Sequence, residues 1–109
     1  MLIDEMRVAI ATNQGWTEVH ADGFGNVYGN WVVGDVTTLA DAQVPNYPLS
    51  TDAILEAARN KFCTPELAAK FEHHLDYQRQ VTNKQHTWQL TAYEISEAYL
   101  GTANLWKET

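Results

Sequence analysis

Residues 44–58, VPNYPLSTDAILEAA, constrain the fold of this chain more than any other segment. Pro45 and Pro48 fix their φ angles and lack an amide donor, so no helix can run through them. The residue before each proline is pushed toward extended geometry. Ser50 or Thr51 can then cap a helix by accepting a backbone N–H bond. The segment therefore predicts an extended entry followed by a helix whose apolar face must find a core.

Helical periodicity predicts two helices in the first part of the chain. One begins near the N-terminus and ends near residues 13–15, with Arg7 on its polar side. The other follows the prolines and ends near Lys61. The residues expected to face inward are Leu2, Met6, Ala9 and Ile10 in the first helix, and Ile54, Leu55, Ala58 and Phe62 in the second.

Two more helices are predicted in the second half of the chain. Thr64 can cap one of them, with Pro65 at the first helical position, where a missing donor costs little. That helix continues to about Gln80. Thr91 is a good cap for the last helix, which Gly101 interrupts or ends. The inward residues are expected to be Leu67, Phe71, His74, Leu75 and Gln78, then Ala92, Ile95, Ala98 and Tyr99, with Leu105 and Trp106 folding back as a tail.

Short strands are expected between the first two helices. Residues 16–20 alternate in a period of two, and Asp22-Gly23 is a hairpin signal. Residues 27–33 are β-prone around Gly29-Asn30, so they form either one bulged strand or two strands around a turn. Residues 34–43 are predicted to be a connecting loop with Val36 and Leu39 tucked inward.

These elements predict an α+β fold in the order αββ(β)ααα. A small antiparallel sheet of two to four short strands packs with about four helices in a sandwich-like arrangement. Residues 87–90 are a candidate for one further short strand. No repeat, low-complexity tract or linker divides residues 1–109, so one domain is expected.

The formal net charge of −7 disfavours a nucleic-acid binder, which needs a basic footprint. The acids are spread along the chain from Asp4 to Glu108, which weighs against a DNA mimic with concentrated charge. Cys63 is alone, so no internal disulfide can form, and we expect it to be a small buried hydrophobe. No apolar run is long enough to cross a membrane and the N-terminus is unlike a secretory signal, so a cytoplasmic protein is expected.

No catalytic, cofactor or metal site is predicted. His73 and His74 are adjacent on a helix and point about 100° apart, so they cannot easily chelate one ion together. The glycine-rich segment 21–29 lacks the spacing of a phosphate cradle and is better explained as a turn. Glu94 and Glu97 share a helical face, where acids are usually solvated. His20 and His86 could meet in space, but the sequence does not show it.

Four aromatic residues crowd into the predicted sheet: Trp16, Phe24, Tyr28 and Trp31. If helices cover both faces of that sheet, all four belong to the core. If one face is open, two of them form an exposed patch, and aromatic residues are enriched at binding hot spots. We therefore name these four residues as possible partner-binding residues.

One family resemblance is carried by Pro45, Tyr47, Ser50 and the Asp52-Ala53 pair, together with the final helix LTAYEISEAYL. This pattern resembles the signature of small bacteriophage and prophage proteins described as phage ABA-sandwich domains. The resemblance implies a helix–sheet–helix sandwich of viral or prophage origin, and it transfers no activity and no functional residues. That family usually continues from the signature helix into strands and then a final helix, whereas this chain places the helix after Thr64 before the closing helix.

These observations favour a small non-enzymatic module that binds another protein, host or phage, in the bacterial cytoplasm. A host-directed role, such as inhibition of a defence system, would use the acidic charge against a basic groove. Two other classes stay open. One is a small ligand-binding protein or enzyme that uses His20, His86 and carboxylates around a cleft, and the other is a homo-oligomeric structural subunit.

Overall fold

A computed structural model describes residues 1–107 as four α-helices and a three-stranded antiparallel sheet, which confirms the predicted α+β class. The sheet has the order β1-β2-β3, and the chain order is αβββααα. The elements are α1 (Ile3–Asn13), β1 (Thr17–Ala21), β2 (Val27–Val33), β3 (Val36–Gln43), α2 (Thr51–Lys61), α3 (Pro65–Thr82) and α4 (Ala92–Thr102), with 3₁₀ turns at Tyr47–Leu49 and Thr87–Gln89.

The proline segment lies at the centre of the fold. Its 3₁₀ turn, Tyr47–Leu49, packs against α1, α2 and α4. Val44, Tyr47 and Pro48 are buried there. Ser50 caps α2 as predicted, because its side chain accepts a hydrogen bond from the Ala53 amide at 3.3 Å. The extended entry and the following helix are therefore fixed against one core.

Most of the predicted helix boundaries and caps are confirmed. Thr64 and Thr91 cap α3 and α4 with their side chains. α4 is the most deeply buried helix, and α2 and α3 pack against it. Gly101 lies inside α4, which continues to Thr102. Leu105 returns to the body of the protein, since its amide donates to the Leu100 carbonyl at 2.7 Å.

The prediction for residues 34–43 was wrong, because most of them form the edge strand β3. Val36 is 68% exposed and Leu39 is 54% exposed, so neither is tucked inward. Gly34, with a φ of +64°, makes the tight turn that pairs Val33 with Val36. β3 pairs with β2, and most of its side chains are exposed to solvent.

Residues 27–33 form one bulged strand rather than two strands around a turn. Its register with both neighbours is irregular, and these irregularities are β-bulges. Residues 87–89 form a 3₁₀ turn rather than the start of a strand. The Gln89 side chain accepts hydrogen bonds from the amides of Gln85 and His86 at 2.9 and 3.0 Å, so local bonds satisfy this segment without a sheet.

Three single residues also differ from prediction. Leu2, which was expected to face inward, is 67% exposed. Cys63 is exposed rather than buried, because Phe62 fills the core position and packs its ring 4.8 Å from that of Tyr99. Arg7 lies in the core rather than on a polar surface and is only 2% exposed. Its guanidinium donates to the backbone carbonyls of Gly25 and Val44, which satisfies two acceptors in separate segments.

Candidate functional site

The structure brings together two of the four predicted partner-binding residues. The rings of Trp16 and Trp31 lie side by side, with centroids 5.4 Å apart. Tyr28 lies on the opposite face of the sheet, where its ring is 6.0 Å from that of His20. Phe24 is alone in the β1–β2 loop and is 90% exposed. The sheet is therefore covered on the face that carries the two tryptophans, and the four aromatic residues do not form one patch.

The tryptophan pair lines a cavity of about 280 Å³ that opens between the sheet and α2. Trp16 is 9% exposed and forms the deeper wall, while Trp31 is half-buried. The apolar part of the wall is completed by Leu39, Pro45 and Tyr47. α2 contributes the facing wall. We call this cavity the tryptophan cavity, and its main lining residues are Trp16, Trp31, Leu39, Pro45, Tyr47 and Glu56.

Gly29 is the reason that Trp16 can lie so close to the central strand. A Cβ atom at this position would lie 3.3 Å from Trp16 Cε3, 3.1 Å from Val19 Cγ2 and 3.3 Å from the Thr17 carbonyl oxygen. These distances are tighter than ordinary contact, so the absence of a side chain creates the space for the indole. The shape of the tryptophan cavity therefore depends on glycine at this position.

A hydrogen-bond network fixes one polar side of the tryptophan cavity. Gln14 Nε2 donates to the Ala57 carbonyl at 2.9 Å and to the Tyr99 hydroxyl at 2.7 Å. Tyr99 in turn donates its proton to Asn13 Oδ1. Because both amide protons of Gln14 are used, its side chain links the end of α1 to α2 and to α4. The network makes this side of the cavity rigid.

Two further polar groups on the wall are Tyr47 and Glu56. Burial, with a smaller contribution from Tyr99 and from the nearby Glu56 carboxylate, raises the pKa of Tyr47 to about 12. Its hydroxyl therefore stays protonated at neutral pH. Glu56 is exposed at the cavity mouth, and within residues 1–107 no Lys or Arg side chain lies within 4 Å of its carboxylate. The cavity thus combines aromatic walls with one carboxylate that has no ion-pair partner there.

Charge is distributed unevenly over the molecule. No Lys or Arg occurs between Arg7 and Arg59, so the three strands and their turns carry acids without Lys or Arg. The two ion-paired clusters lie on the helical side, where Arg79 contacts carboxylates of its own helix and Lys84 contacts Glu94 at 2.7 Å. The acids of the sheet and its turns are Glu18, Asp22, Asp35 and Asp41.

The other candidate groups do not form a comparable site. His20 and His86 line none of the three cavities described in residues 1–107, and His86 stacks on Trp88 instead. A second cavity of about 300 Å³ joins His73 and His74 to Glu97. Burial lowers the pKa of His74, with smaller effects from His73 and Lys70. Within the described residues, no three His, Cys, Asp or Glu side chains come together as a possible metal site.

The glycine-rich segment 21–29 forms the turn that its composition indicates. The Asp22 carboxylate accepts hydrogen bonds from the amides of Phe24 and Asn26 at 2.7 and 3.2 Å. The Phe24 bond, followed by a hydrogen bond from the Asn26 side chain, lowers the pKa of Asp22. The carboxylate therefore organises the turn itself and is not directed at a ligand.

Sequence reasoning missed the residues that complete the tryptophan cavity. Gln14 follows α1, Tyr47 lies in the 3₁₀ turn and Glu56 lies in α2, while Leu39 was assigned to a loop. One signal was available: the long interval without Lys or Arg covers the three strands and most of the residues that line the cavity. No helix in the described part of the chain is long and apolar enough to cross a membrane. Comparison with protein-family models, curated proteins and solved structures finds no match.

Proposed function

We propose that this protein is a non-enzymatic module that binds a basic partner protein through the sheet side of the molecule. The observation that carries the proposal is that β3 combines a free, partly apolar strand edge with a position beside the tryptophan cavity. The strand is a free edge with exposed apolar side chains, and it borders the tryptophan cavity within a stretch of sequence, residues 8–58, that has acids and no Lys or Arg.

The free edge supports binding of another chain. β3 pairs with β2 on one side and has no strand on its other side within residues 1–107. Val33, Val36 and Leu39 are each more than half exposed along this hairpin. An exposed edge with apolar side chains can pair with an extended segment, whose backbone supplies the hydrogen bonds.

The charge supports a basic partner over a second copy of this chain. Two copies that met through β3 would bring acids against acids, because each sheet carries carboxylates and neither supplies a Lys or Arg. Like charges across an interface cost free energy, whereas a basic surface is attracted at long range. A protein partner with Lys or Arg beside apolar residues fits this surface better than self-assembly.

A phage or prophage origin and a host-directed role in the bacterial cytoplasm belong to the same proposal. They rest on the resemblance of residues 45–53 and of α4 to phage sandwich domains. A second candidate function, binding of a small ligand, is favoured by the tryptophan cavity, whose volume of about 280 Å³ approaches that of ligand pockets, roughly 300 Å³ and above.

Affinity capture with matched variants tests the proposal. Thr37→Lys and Thr38→Lys together place two cations on exposed positions of β3. Gln80→Lys and Gln85→Lys place the same charges on exposed positions of the helical side. We expect a bacterial host protein to be retained stoichiometrically by the unmodified chain and by the helical-side variant, but not by the β3 variant. Recombinant partner should then bind with the same order of affinities.

Two results contradict the proposal. Equal retention of the partner by both double variants would show that binding does not use the sheet side. A sedimentation measurement that found a stable dimer abolished only by the β3 variant would favour the homo-oligomeric subunit instead. Circular dichroism and thermal unfolding of each variant establish that the substitutions leave the fold intact.

A further inference from the structure

We propose that the tryptophan cavity seats the guanidinium group of an arginine side chain carried by the partner protein. The inference rests on the proposed function and names the chemistry that this site recognises. It follows from three properties of the cavity wall: aromatic faces, hydrogen-bond acceptors, and a carboxylate without an ion-pair partner in the described chain.

The aromatic faces suit a planar cation. Trp16, Trp31 and Tyr47 all line the cavity, and Trp31 is half-buried, so part of its ring is available to an incoming group. A cation over a tryptophan face is attracted by the ring quadrupole. Guanidinium is flat and weakly hydrated, so it stacks on such a face better than the compact, strongly hydrated ammonium of lysine.

The polar groups of the wall are suited to an arginine fork. The Glu56 carboxylate can accept two parallel N–H bonds, which is the favoured geometry of arginine with a carboxylate. Gln14 uses its amide protons within the protein, and no donor in residues 1–107 reaches its carbonyl oxygen. Asn60 adds another side-chain amide at the mouth. Five donors of a guanidinium therefore meet several acceptors.

Other occupants fit the wall less well. An anion would face Glu56, and no Lys or Arg lines the cavity to hold it. An aliphatic side chain would contact Trp16 and Trp31 but would leave the carboxylate without a partner and partly desolvated. The wall chemistry therefore selects a cation that is also flat and partly apolar.

The strand geometry gives the arginine a route into the cavity. Leu39 belongs to the free edge strand and also lines the cavity beside Trp31, with which it is paired across the sheet. Side chains of a strand alternate between the two faces. A segment that added to β3 would therefore direct every second side chain toward the face of the sheet that borders the cavity, which Glu56 also lines.

Calorimetric titration with two matched peptides tests this inference. The probes are acetylated, amidated Val-Thr-Val-Arg-Val-Thr-Val and the same peptide with citrulline, a neutral isostere, in place of arginine. We expect the arginine peptide to bind the unmodified protein at least about tenfold more tightly. Glu56→Gln should reduce that ratio to near one, whereas Asp52→Asn, the same charge change at an exposed position one turn earlier on α2, should preserve it.

The outcomes separate this inference from the proposed function. Equal affinity for both peptides, or an unchanged ratio in Glu56→Gln, would overturn the arginine site. If both peptides also lost affinity equally in the Thr37→Lys, Thr38→Lys variant, the proposal that the protein binds a partner through its sheet would be retained and only the arginine site would be rejected. If ethylguanidinium bound as tightly as the arginine peptide, the claim that the guanidinium belongs to a partner protein would be overturned, and the ligand would instead be a free organic cation. Failure of the arginine peptide to bind would reject the inference, while the capture experiment would still decide the proposed function.

Discussion

The side-chain oxygen of Asn30 accepts a hydrogen bond from the Asp41 amide at 2.8 Å, which joins the central strand to a bulge in β3. The side-chain nitrogen of Asn30, Nδ2, donates to the Glu18 carboxylate at 3.0 Å. Glu18 and Asp41 both have positive φ, at 53° and 48°, where the strands on either side of β2 are bulged. One side chain therefore contacts a bulge on each side of β2.

Replacing Asn30 should loosen both bulges at once. A left-handed backbone costs a non-glycine residue about 1–2 kcal/mol, and the two hydrogen bonds help offset that strain at Glu18 and Asp41. We expect Asn30→Ala to lower the free energy of unfolding by about 1–2 kcal/mol in urea titrations. The exposed neighbouring-strand change Thr38→Ala is the control and should have a much smaller effect. Equal losses in the two variants would contradict the role of Asn30.

Much of the helical part of the fold could be predicted because capping and periodicity are local. Ser50, Thr64 and Thr91 each accept a bond from the third residue after them, so their role is written in a few neighbouring residues. β3 could not be predicted in the same way. Nearly every side chain of that strand is exposed, so no buried face imposes the alternation by which strands are recognised.

The candidate site was only partly predictable for a different reason. Trp16 and Trp31 were identified as possible binding residues, but their pairing depends on the bulged register around Gly29. A bulge changes which residues face each other, and periodicity does not reveal it. Arg7 shows the same limit, because the carbonyl acceptors that allow its burial come from Gly25 and Val44, far away in the sequence.

Gly29→Ala should damage the tryptophan cavity. The added Cβ would lie 3.1 Å from Val19 Cγ2 and 3.3 Å from Trp16 Cε3, so one of these side chains must shift. Overpacking of this kind costs about 1–3 kcal/mol. We expect lower stability together with weaker binding of the arginine peptide. Gly34→Ala, at a turn where a Cβ meets nothing within 4 Å but φ is positive, should lower stability while leaving the peptide's affinity unchanged.

Two opposing effects determine how Gly101→Ala changes stability: a gain in helix propensity and a close contact with His74. Alanine inside a helix is favoured over glycine by about 1 kcal/mol. The new Cβ, however, would lie 2.8 Å from His74 Nδ1 and 2.9 Å from its Cε1, which forces the ring to move. We expect the cost of this close contact to exceed the gain in helix propensity, so that Gly101→Ala alone lowers the midpoint of thermal unfolding.

The sign of that effect should reverse when the ring is absent. In a His74→Ala background, Gly101→Ala should raise the free energy of unfolding by about 1 kcal/mol, which leaves the propensity gain alone. A double-mutant cycle measured by urea unfolding gives the coupling directly. Additive effects of the two changes would show that His74 does not restrict this position.

Alkaline pH should destabilise the protein through two buried tyrosines. Burial raises the pKa of both Tyr47 and Tyr99 to about 12 from an ordinary value of 10.0. Well below pH 10.0 both are protonated in the folded and unfolded chains. Between 10.0 and about 12 the unfolded chain loses protons that the folded chain keeps, so the free energy of unfolding falls as pH rises. The loss should be on the order of 2–3 kcal/mol per tyrosine, since one pKa unit corresponds to about 1.4 kcal/mol.

Phenylalanine substitutions separate this titration from general alkaline unfolding. Tyr47→Phe removes one of the two tyrosines whose pKa is raised, so the slope of stability against pH should fall by about half. The Tyr47 hydroxyl has no hydrogen-bond partner in residues 1–107, so its removal breaks no hydrogen bond there. Tyr77→Phe, at a side chain that is 57% exposed, is the matched control and should retain the full slope. Urea titrations at several pH values across this range measure both slopes. Parallel curves for Tyr47→Phe and the unmodified protein would mean that Tyr47 ionises as readily in the folded chain as in the unfolded one.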